Sequence, residues 1–436
     1  MKVKVCKFGG TSLADANQFR KVRAIIEAEP GRRVIVVSAP GKRHKQDQKI
    51  TDLLLVCYDL LNQGLDMEPV YKKIRERFTT IVTELKVPLD TAGLLDETAG
   101  AMLANPTRDF IASRGEYITG KIIAAWLGAG FTDPADSILI HDDHRINPAT
   151  YAQLHLAIEK PGLHIVPGYY ARNERGRIVT FSRGGSDITG SIAARAVHAD
   201  VYENWTDVSG FLMADPRIVK DPRHIDELTY KELRELCYMG AIVLHDEAIF
   251  PVRDAGIPIE IRNTNAPDGA FTRIVQSREP TRQIVTGIAG RKDFALFQIE
   301  KNLMNKMVGF GRRVLQVFEN YNVSYDHTPT GIDNMSVIVR EDALGDNEEL
   351  IVDEIRKVIE PDSIEVERDI AMIATVGQGM SHCIGFASRL CAALARGKVN
   401  LRIIDQGASE TNMIVGVENK DYEKAIRTLY AEFCNE

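Results

Sequence analysis

Val5-Cys6-Lys7-Phe8-Gly9-Gly10-Thr11-Ser12 is the stretch that decides how the rest of this sequence is interpreted. Its apolar first half predicts a β-strand, and its glycine pair precedes a segment, 15–27, whose apolar residues recur at helical spacing. Consecutive glycines let a ligand approach the backbone closely, and amides at a helix start favour an anion such as phosphate. Lys7 would add a positive charge. The stretch is therefore a candidate phosphate site without a Walker motif; the alternative is an ordinary strand-to-helix turn in which Lys7 is solvated.

Length and composition bound the class of protein. A chain of 436 residues exceeds what one hydrophobic core serves, so two or three domains are expected. A hydrophobic content of 44% and a charged content of 26% are typical of a soluble globular protein. The net charge of −7, without basic runs, argues against nucleic acid or an anionic membrane as the main partner. A small molecule is the expected partner.

The cysteines and histidines give no sign of a disulfide framework or a transition-metal site. The six cysteines show no Cys-x-x-Cys spacing and sit mostly in apolar stretches, so they are predicted to be small core residues. No His-x-x-x-His pair is present, and no metal ligand is assigned. The chain begins without an apolar leader and has no long apolar run, so a cytoplasmic, reduced protein is expected.

Apolar runs alternate with helical segments before a polar, breaker-rich stretch at 263–282, where we place the domain boundary. Runs of the buried-strand type are 33–38, 137–141, 163–167, 201–205 and 257–261. Segments with helical character are 68–85, 90–104, 108–128, 150–159, 229–239 and 245–254, and Thr51-Asp52 predicts the cap of another helix. This alternation predicts an α/β fold. Because ligands of such sheets bind at loops after the strands, Ser38 is a candidate contact.

Two further clusters attract attention. Ser113-Arg114-Gly115-Glu116 places charge and glycine inside an apolar helix, where glycine costs about 1 kcal/mol relative to alanine. A kink or a close helix contact would explain Gly115. A second glycine pair, in 182–187, follows Arg183, whose guanidinium suits a fork-type grip on a carboxylate. The alternative for this cluster is a helix N-cap served by Ser186 or Asp187.

The remainder of the chain repeats itself. The order strand, helix, strand, strand, helix occurs at 294–301, 309–321, 323–328, 335–340 and 348–359, and again at 370–376, 385–396, 399–405, 412–417 and 422–433. This pattern predicts two β-α-β-β-α-β units. Tandem copies of so small a unit, with edge strands free to pair, favour a ligand-sensing or dimerising module over a catalytic one.

Taken together, these motifs resemble the ordered signatures of the aspartokinases. The motifs are Lys7-Phe8-Gly9-Gly10-Thr11-Ser12, Ser113-Arg114-Gly115-Glu116, Arg183-Gly184-Gly185-Ser186-Asp187, Thr206-Asp207, Ala214-Asp215-Pro216-Arg217, Val243-Leu244-His245 and Ile261-Arg262-Asn263-Thr264. Two C-terminal motifs, 376–380 and 404–410, resemble that family's paired regulatory ACT domains. The match covers nearly the whole chain.

The resemblance implies a fold and an activity. It implies an amino-acid-kinase domain at 1–280, an open and mostly parallel sheet with helices on both faces, followed by two ferredoxin-like ACT domains at 281–368 and 369–436. The implied reaction is transfer of the γ-phosphoryl of ATP, with Mg²⁺, to the side-chain carboxylate of L-aspartate, giving 4-phospho-L-aspartate. This is the first step of lysine, threonine and methionine biosynthesis. A homodimer or higher homo-oligomer through the ACT domains is expected.

The resemblance also assigns roles to single residues. Lys7 and Asp187 match catalytic positions, with Lys7 and the amides near Gly9 and Gly10 on the transferring phosphoryl and Asp187 near the phosphates and metal. Positions matching the nucleotide site are Lys7, Gly9, Gly10, Ser12, Thr206, Asp207 and Arg217. Positions matching the aspartate site are Ser38, Thr51, Glu116 (for the α-ammonium), Thr180, Arg183 (for the α-carboxylate) and Ser186. Ser324, Tyr325 and Asp326 match an effector pocket for lysine, with threonine as a second possible effector.

Two departures from the family pattern weaken the expected nucleotide site. Ile242 stands where relatives often have Lys, and Leu212 stands where they often have Tyr. These departures motivate a second hypothesis, a catalytically silent amino-acid sensor. A third is another kinase, for glutamate, acetylglutamate or a nucleotide, against which the tandem repeats and the 113–116 cluster argue. A dehydrogenase is the weakest hypothesis, because the C-terminal extension of bifunctional relatives is missing.

Overall fold

The computed structural model describes residues 2–143, 145–159, 161–181, 184–241, 243–244, 246–279 and 283–434. The helices are α1 (Ala16–Ala28), α2 (Ile50–Asn62), α3 (Glu68–Leu85), α4 (Thr91–Ala104), α5 (Arg108–Leu127), α6 (Pro134–Ser137), α7 (Ala149–Ile158), α8 (Gly185–Ala196), α9 (Tyr230–Tyr238), α10 (Phe250–Asp254), α11 (Phe310–Asn320), α12 (Glu341–Leu344), α13 (Glu348–Ile359), α14 (Phe386–Arg396) and α15 (Tyr422–Phe433). None of the helices described is long and apolar enough to cross a membrane.

The strands are β1 (Lys4–Phe8), β2 (Arg32–Val37), β3 (Gly130–Phe131), β4 (Leu139–Ile140), β5 (His164–Pro167), β6 (Tyr170–Asn173), β7 (Ile178–Thr180), β8 (Val201–Thr206), β9 (Phe211–Leu212), β10 (His224–Ile225), β11 (Glu227–Thr229), β12 (Ile259–Asn263), β13 (Thr272–Val275), β14 (Gly287–Glu300), β15 (Asn334–Arg340), β16 (Ser363–Val376), β17 (Ile403–Asp405) and β18 (Asn412–Glu418). They belong to two compact units. The first comprises Met1–Phe211, His224–Leu233 and Ile242–Arg278, and the second comprises Leu212–Arg223, Arg234–Ala241 and Glu279–Glu436.

The first unit is built on an eight-stranded sheet with the order β11-β13-β12-β8-β1-β2-β5-β3. From β12 to β3 neighbouring strands are parallel, and β13 runs antiparallel to β12. β1 lies between β8 and β2, so the stretch that opens the sequence forms a central strand. Its residues are buried after the first, as expected for a parallel strand covered on both faces. The predicted α/β fold with a mostly parallel sheet is confirmed.

Helix α1 follows β1, as the periodicity of 15–27 predicts. The Asp15 side chain caps it by accepting a hydrogen bond from the Gln18 amide, and its apolar face buries Phe19, Val22 and Ile26. The predicted strand 137–141 is wrong in part, because Pro134–Ser137 forms a helical turn and only Leu139–Ile140 is a strand.

Gly115 allows a close contact inside the first unit. A Cβ at this position would lie 2.7 Å from the Cβ of Ala39, in the loop after β2, and 3.3 Å from side-chain atoms of Ile50 and Leu54 on α2. Any side chain larger than hydrogen would therefore push α5 away from that loop. Of the two explanations for Gly115, the close contact is the one observed.

The second unit contains a five-stranded sheet with the order β15-β14-β16-β18-β17. β14 and β16 are each 14 residues long and pair antiparallel from end to end. β15 pairs with the second half of β14, and β18 pairs with the second half of β16. Asp293 and Asp369, near the middle of the two long strands, have positive φ of 68° and 62°. The two repeats therefore share two long strands.

This sharing corrects the predicted repeats in two ways. The strands expected at 294–301 and 370–376 are parts of longer strands, and the first half of β14 supplies the last strand of the second repeat by pairing with 372–376. The strand expected at 323–328 is wrong, because that segment makes only an isolated bridge from His327 to Ile338. The strand expected at 399–405 is reduced to Ile403–Asp405.

Candidate active site

A cleft of about 1420 Å³ opens in the first unit, at the carboxyl ends of β1, β2 and β5. Residues singled out from the sequence line it: Lys7, Gly9, Gly10, Ser38, Thr51, Glu116, Thr180, Ser186 and Asp187. They come from strands, loops and helices that are far apart in the chain. The parallel sheet brings them together because the loops that follow its strands meet at one edge.

Lys7 and Asp187 form a buried ion pair at the floor of this cleft. Lys7 is only 8% exposed, and its Nζ lies 2.5 Å from Oδ1 of Asp187 in α8. Asn204, the partner of Lys7 in the β1–β8 register, donates to the same carboxylate oxygen over 2.9 Å. The Asn204 carbonyl oxygen lies 3.4 Å from Nζ. Lys7 is therefore held in place, and its interpretation as a solvated strand end is wrong.

The glycine pair keeps the loop after β1 thin beside this lysine. A Cβ on Gly9 would lie 3.6 Å from the Lys7 Nζ, which is ordinary van der Waals contact. The Gly9 amide itself donates to the carbonyl of Trp205 over 3.0 Å. A Cβ on Gly10 would lie 2.9 Å from the Ala39 carbonyl oxygen. Gly10 thus lets two loops pack backbone against backbone beside the lysine.

Helix α8 begins without a side-chain cap. Its N-cap residue is Gly184, with φ of 78°, and neither Ser186 nor Asp187 serves as the cap. The interpretation of these two residues as capping groups is therefore wrong. Ser186 lies close to the backbone of Gly168, where a Cβ would come within 2.6 Å of its side chain. Arg183, predicted to bind a carboxylate, lies outside the described residues.

Glu116 presents an unsatisfied oxygen. It is 4% exposed, and its Oε1 accepts a hydrogen bond from the Ala39 amide over 2.9 Å. Its buried Oε2 has no hydrogen-bond partner among the described residues. Burial raises the pKa of Glu116 to about 8, although the Ala39 amide and the Arg114 charge act in the opposite direction. A ligand that brings an ammonium group would satisfy both the free oxygen and the charge.

The remaining predicted contacts line the same cleft as Glu116. The Thr180 hydroxyl is 2.7 Å from Oδ1 of Asp109. The Ser38 amide donates to the Phe8 carbonyl over 3.2 Å, which fixes the loop after β2. Thr51 lies inside α2, whose N-cap residue, Lys49, makes no side-chain cap. The prediction that Thr51-Asp52 caps this helix is therefore wrong.

Four predicted nucleotide contacts do not belong to the set that lines the cleft. Ser12 is buried, and its hydroxyl lies 2.7 Å from that of Thr264. Thr206 ends β8, and its hydroxyl donates to Asp207 over 3.2 Å. Arg217 belongs to the second unit, where its guanidinium is ion-paired with a neighbouring carboxylate. Their roles stay predictions.

Three residues of the site were missed by reasoning from the sequence: Asp109 and Tyr169, which line the cleft, and Asn204, which contacts the Lys7–Asp187 pair. Asp109 precedes Glu116 by two helical turns, so their shared helix face was a signal that could have revealed it. Tyr169 lines the cleft with φ of 79°, which a bulky residue rarely adopts. Asn204 carries no local signal, because its role depends on the pairing of β1 with β8.

Comparisons with known proteins agree with this geometry. The amino acid kinase family matches residues 2–263, and the ACT domain family matches residues 373–433. Aspartokinase 3 of Bacillus subtilis is 38% identical over 99% of this chain and 98% of its own length. The chain belongs to the aspartokinase family. Lysine-sensitive aspartokinase 3 of Escherichia coli is 26% identical over 99% of both chains.

Solved structures of other aspartokinases have the same fold. The crystal structure of the Clostridium acetobutylicum aspartate kinase matches 99% of this chain and 100% of that one, with a TM-score of 0.95 and 46% identity. The structure of E. coli aspartokinase III in complex with aspartate and ADP matches 99% and 100% of the two chains, with a TM-score of 0.79 and 25% identity. The predicted amino-acid-kinase fold with C-terminal ACT domains is confirmed.

Proposed function

We propose that this aspartokinase transfers the γ-phosphoryl group of ATP to the side-chain carboxylate of L-aspartate and so makes 4-phospho-L-aspartate. The observation that carries the proposal is the placement, in one cleft, of the Lys7–Asp187 pair and the unsatisfied oxygen of Glu116. The Lys7 ammonium can bind a phosphoryl group, and the Glu116 carboxylate can bind the ammonium of an amino acid. The aspartate and ADP bound by the E. coli relative belong to the same two chemical classes.

The chemistry requires little of the protein beyond positioning and charge. The aspartate side chain is ionised at pH 7, since its free pKa is about 3.9, so no general base is needed to activate it. Lys7 acts on the charge of the transferring phosphoryl group, and Asp187 and Asn204 hold its ammonium in place. The Asp187 carboxylate would hold the Mg²⁺ of MgATP, since it is an oxygen ligand of the kind that Mg²⁺ takes, and the metal would neutralise phosphate charge.

The acceptor amino acid binds on the α5 side of the cleft. Glu116 receives its α-ammonium, and Arg183 receives its α-carboxylate through a bidentate contact. The other proposed contacts are Ser38, Thr51, Thr180 and Ser186. On the nucleotide side, Gly9, Gly10, Ser12, Thr206, Asp207 and Arg217 remain the proposed contacts. Ile242, which stands where relatives often have Lys, lies outside the described residues. Without that lysine, Lys7 has to neutralise more of the negative charge on the phosphates.

Regulation is assigned to the second unit. Lysine binds at Ser324, Tyr325 and Asp326, where the carboxylate of Asp326 pairs with an ammonium group. Threonine is the second candidate effector. The proposed domain bounds are 1–280, 281–368 and 369–436, with a homodimer or higher homo-oligomer formed through the ACT domains. A cytoplasmic location stays a prediction.

A coupled assay of ADP release tests the activity. With MgATP, turnover should be found with L-aspartate and be at least about a hundredfold lower with L-glutamate, because one extra methylene displaces the carboxylate from in-line geometry. Equal turnover with both amino acids would replace aspartate by a broader substrate class. Absence of turnover with either, in a folded protein that still binds lysine, would favour the silent sensor.

A further inference from the structure

Asp109 lines the cleft and accepts a hydrogen bond from the hydroxyl of Thr180. It is the second residue of α5, and its Oδ1 lies 2.7 Å from Oγ1 of Thr180, at the end of β7. Thr180 is 8% exposed, so this contact is largely shielded from water. The Thr180 hydroxyl is the donor in this hydrogen bond, so its single proton is directed at the Asp109 carboxylate.

The hydrogen bond to Asp109 determines how Thr180 can bind other groups. With its proton used, its oxygen has only lone pairs left and acts as a hydrogen-bond acceptor. A ligand ammonium matches such an oxygen, whereas a ligand carboxylate is repelled by it. Without Asp109, the hydroxyl would be free to rotate and could donate to a carboxylate instead. The carboxylate of Asp109 thus determines whether the Thr180 hydroxyl acts toward a ligand as a hydrogen-bond acceptor or as a donor.

Tyr169, Thr180 and Glu116 line the same cleft. Burial raises the pKa of the Tyr169 phenol, and its hydrogen bond to Thr180 opposes this effect, whereas the charge of Glu116 adds to it. The Tyr169 backbone is held in its left-handed conformation by its own amide, which donates to Thr189 over 3.1 Å, and by its carbonyl, which accepts from Phe181 over 2.9 Å. Such a conformation persists only where the surrounding structure enforces it.

We propose that Asp109 is a positioning residue for the amino-acid substrate: it makes Thr180 a hydrogen-bond acceptor in the cleft that Glu116 also lines, and so completes a site selective for a primary ammonium group. The inference rests on the proposed function, because it takes the acceptor to be an amino acid. Asp109 itself does not touch the substrate. Its contribution is selectivity for an amino acid over a dicarboxylate that lacks the amino group.

The test compares L-aspartate with succinate, which has both carboxylates and no amino group. Binding of each is measured by titration calorimetry in the presence of ADP, for the wild type and for Asp109→Asn, Thr180→Val and Thr180→Ser. The ratio of the aspartate affinity to the succinate affinity should fall about tenfold in Asp109→Asn and Thr180→Val, as expected for a hydrogen bond to a charged group. Thr180→Ser keeps the hydroxyl and should keep the ratio.

Two further variants separate this role from a structural one. Asp142→Asn makes the same charge change in the neighbouring cleft, which Asp109 also lines, and should leave the ratio unchanged. The double variant Asp109→Asn/Thr180→Val should lose no more selectivity than Thr180→Val alone, because Asp109 acts through that hydroxyl.

Each outcome has a definite meaning. An unchanged ratio in Asp109→Asn, or equal weakening of both ligands, would overturn the inference even if Thr180→Val did not fold. A wild-type protein that binds neither L-aspartate nor succinate with ADP would instead contradict the proposed function. The two failures are therefore distinguishable in the same set of titrations.

Discussion

The hydroxyl of Tyr238 is hydrogen-bonded to the carboxylate of Asp326, which lies 88 positions later in the chain. Tyr238 ends α9, and the Asp326 amide donates to the Ile338 carbonyl over 2.8 Å. The carboxylate proposed to receive the ammonium of lysine is therefore already occupied by a phenol of its own unit. An effector that binds there must compete with Tyr238.

Replacing Asp326 by Ala should weaken lysine inhibition. A hydrogen bond to a charged group contributes about 1.5–3 kcal/mol, so the inhibitory lysine concentration should rise by about tenfold or more. Uninhibited turnover should stay unchanged, because inhibition depends on differential affinity for an inactive state. Lysine titrations of ADP release, run side by side on both proteins, measure the shift. Overlapping curves would remove Asp326 from the effector site.

Tyr238→Phe should have the opposite effect on lysine. It removes only the hydroxyl, so Asp326 no longer has to be released before the effector binds. A hydrogen bond to a charged group contributes about 1.5–3 kcal/mol, and the inhibitory lysine concentration should fall by about tenfold or more. The same titration measures it. A rise instead would mean that the phenol assists binding of lysine.

Lys7→Ala should abolish turnover in a protein that remains folded. The ammonium acts on charge that develops mainly in the transition state, and loss of about 3 kcal/mol there lowers kcat more than a hundredfold. Steady-state kinetics with thermal melting checks both parts, and Lys45→Ala, in an exposed loop, serves as the control for loss of one positive charge. More than a tenth of wild-type activity in Lys7→Ala would exclude the catalytic role.

The affinity for aspartate should depend on pH through Glu116. Burial raises its pKa to about 8, so the free protein carries a proton there that an incoming ammonium must displace. Apparent affinity should therefore rise by up to about tenfold per unit from pH 6 to pH 8 and then level off. Calorimetry in buffers of different ionisation enthalpy should detect proton release below pH 8.

Glu116→Gln provides the control for that pH dependence. It should bind aspartate weakly at every pH, with no rise toward pH 8. The raised pKa of Glu116 also makes the stability of the fold depend on pH. It stabilises the fold below pH 4.5, the ordinary pKa of a glutamate, and this stabilisation is lost as the pH rises through about 8. Between pH 4.5 and about pH 8, the melting temperature of Glu116→Gln should rise relative to that of the wild type. A pH-independent difference would contradict the assignment.

Glu203 should be among the most sensitive positions for stability. It is fully buried, 2.8 Å from the Arg32 guanidinium and 3.1 Å from the Lys4 ammonium. Burial raises the pKa of Glu203, but hydrogen bonds and charges from Arg32 and Lys4 outweigh this and lower it to about 2. Glu203→Ala leaves the buried Arg32 guanidinium with its longer ion-pair contact of 3.4 Å to Glu29, and the loss of a buried partner costs about 3–5 kcal/mol of unfolding free energy.

Urea denaturation measures that loss. Glu27→Ala removes the carboxylate of an exposed pair with Arg23 and should change the free energy of unfolding by less than about 1 kcal/mol. If both variants lost a similar amount of unfolding free energy, burial of the pair between Glu203 and Arg32 would contribute nothing further to stability.

The sequence predicted those parts of the site that local pattern determines. Lys7 lies near the end of a strand, the first glycine pair follows that strand, and Asp187 lies in the first turn of a helix. The rule that ligands bind at the ends of parallel strands places them together. Asn204 could not be found in this way, because only the register of β8 against β1 brings it to Lys7. Gly115 was noticed for its cost to the helix, but the distance to Ala39 was needed to decide between its two explanations.

The C-terminal repeats were predicted in kind but not in detail. Their helices have strong apolar periodicity and were placed within a residue or two, as α11 shows. The segment 323–328 has the composition of a strand, yet it makes only one isolated bridge, from His327 to Ile338. Strand composition reports burial and packing, whereas strand pairing depends on a partner elsewhere in the chain. That partner is not visible in the local sequence.

The two strands shared by the repeats also set an order of events during synthesis. The first half of β14 leaves the ribosome before the whole first repeat, but its partner residues 372–376 come only after that repeat. Until then Gly287–Arg291 has an open edge on the side that β16 later covers, and open edges are where nascent chains aggregate. Early folding of the first repeat, whose pairings are closer in sequence, would shorten that exposure by bringing the start of β16 alongside β14.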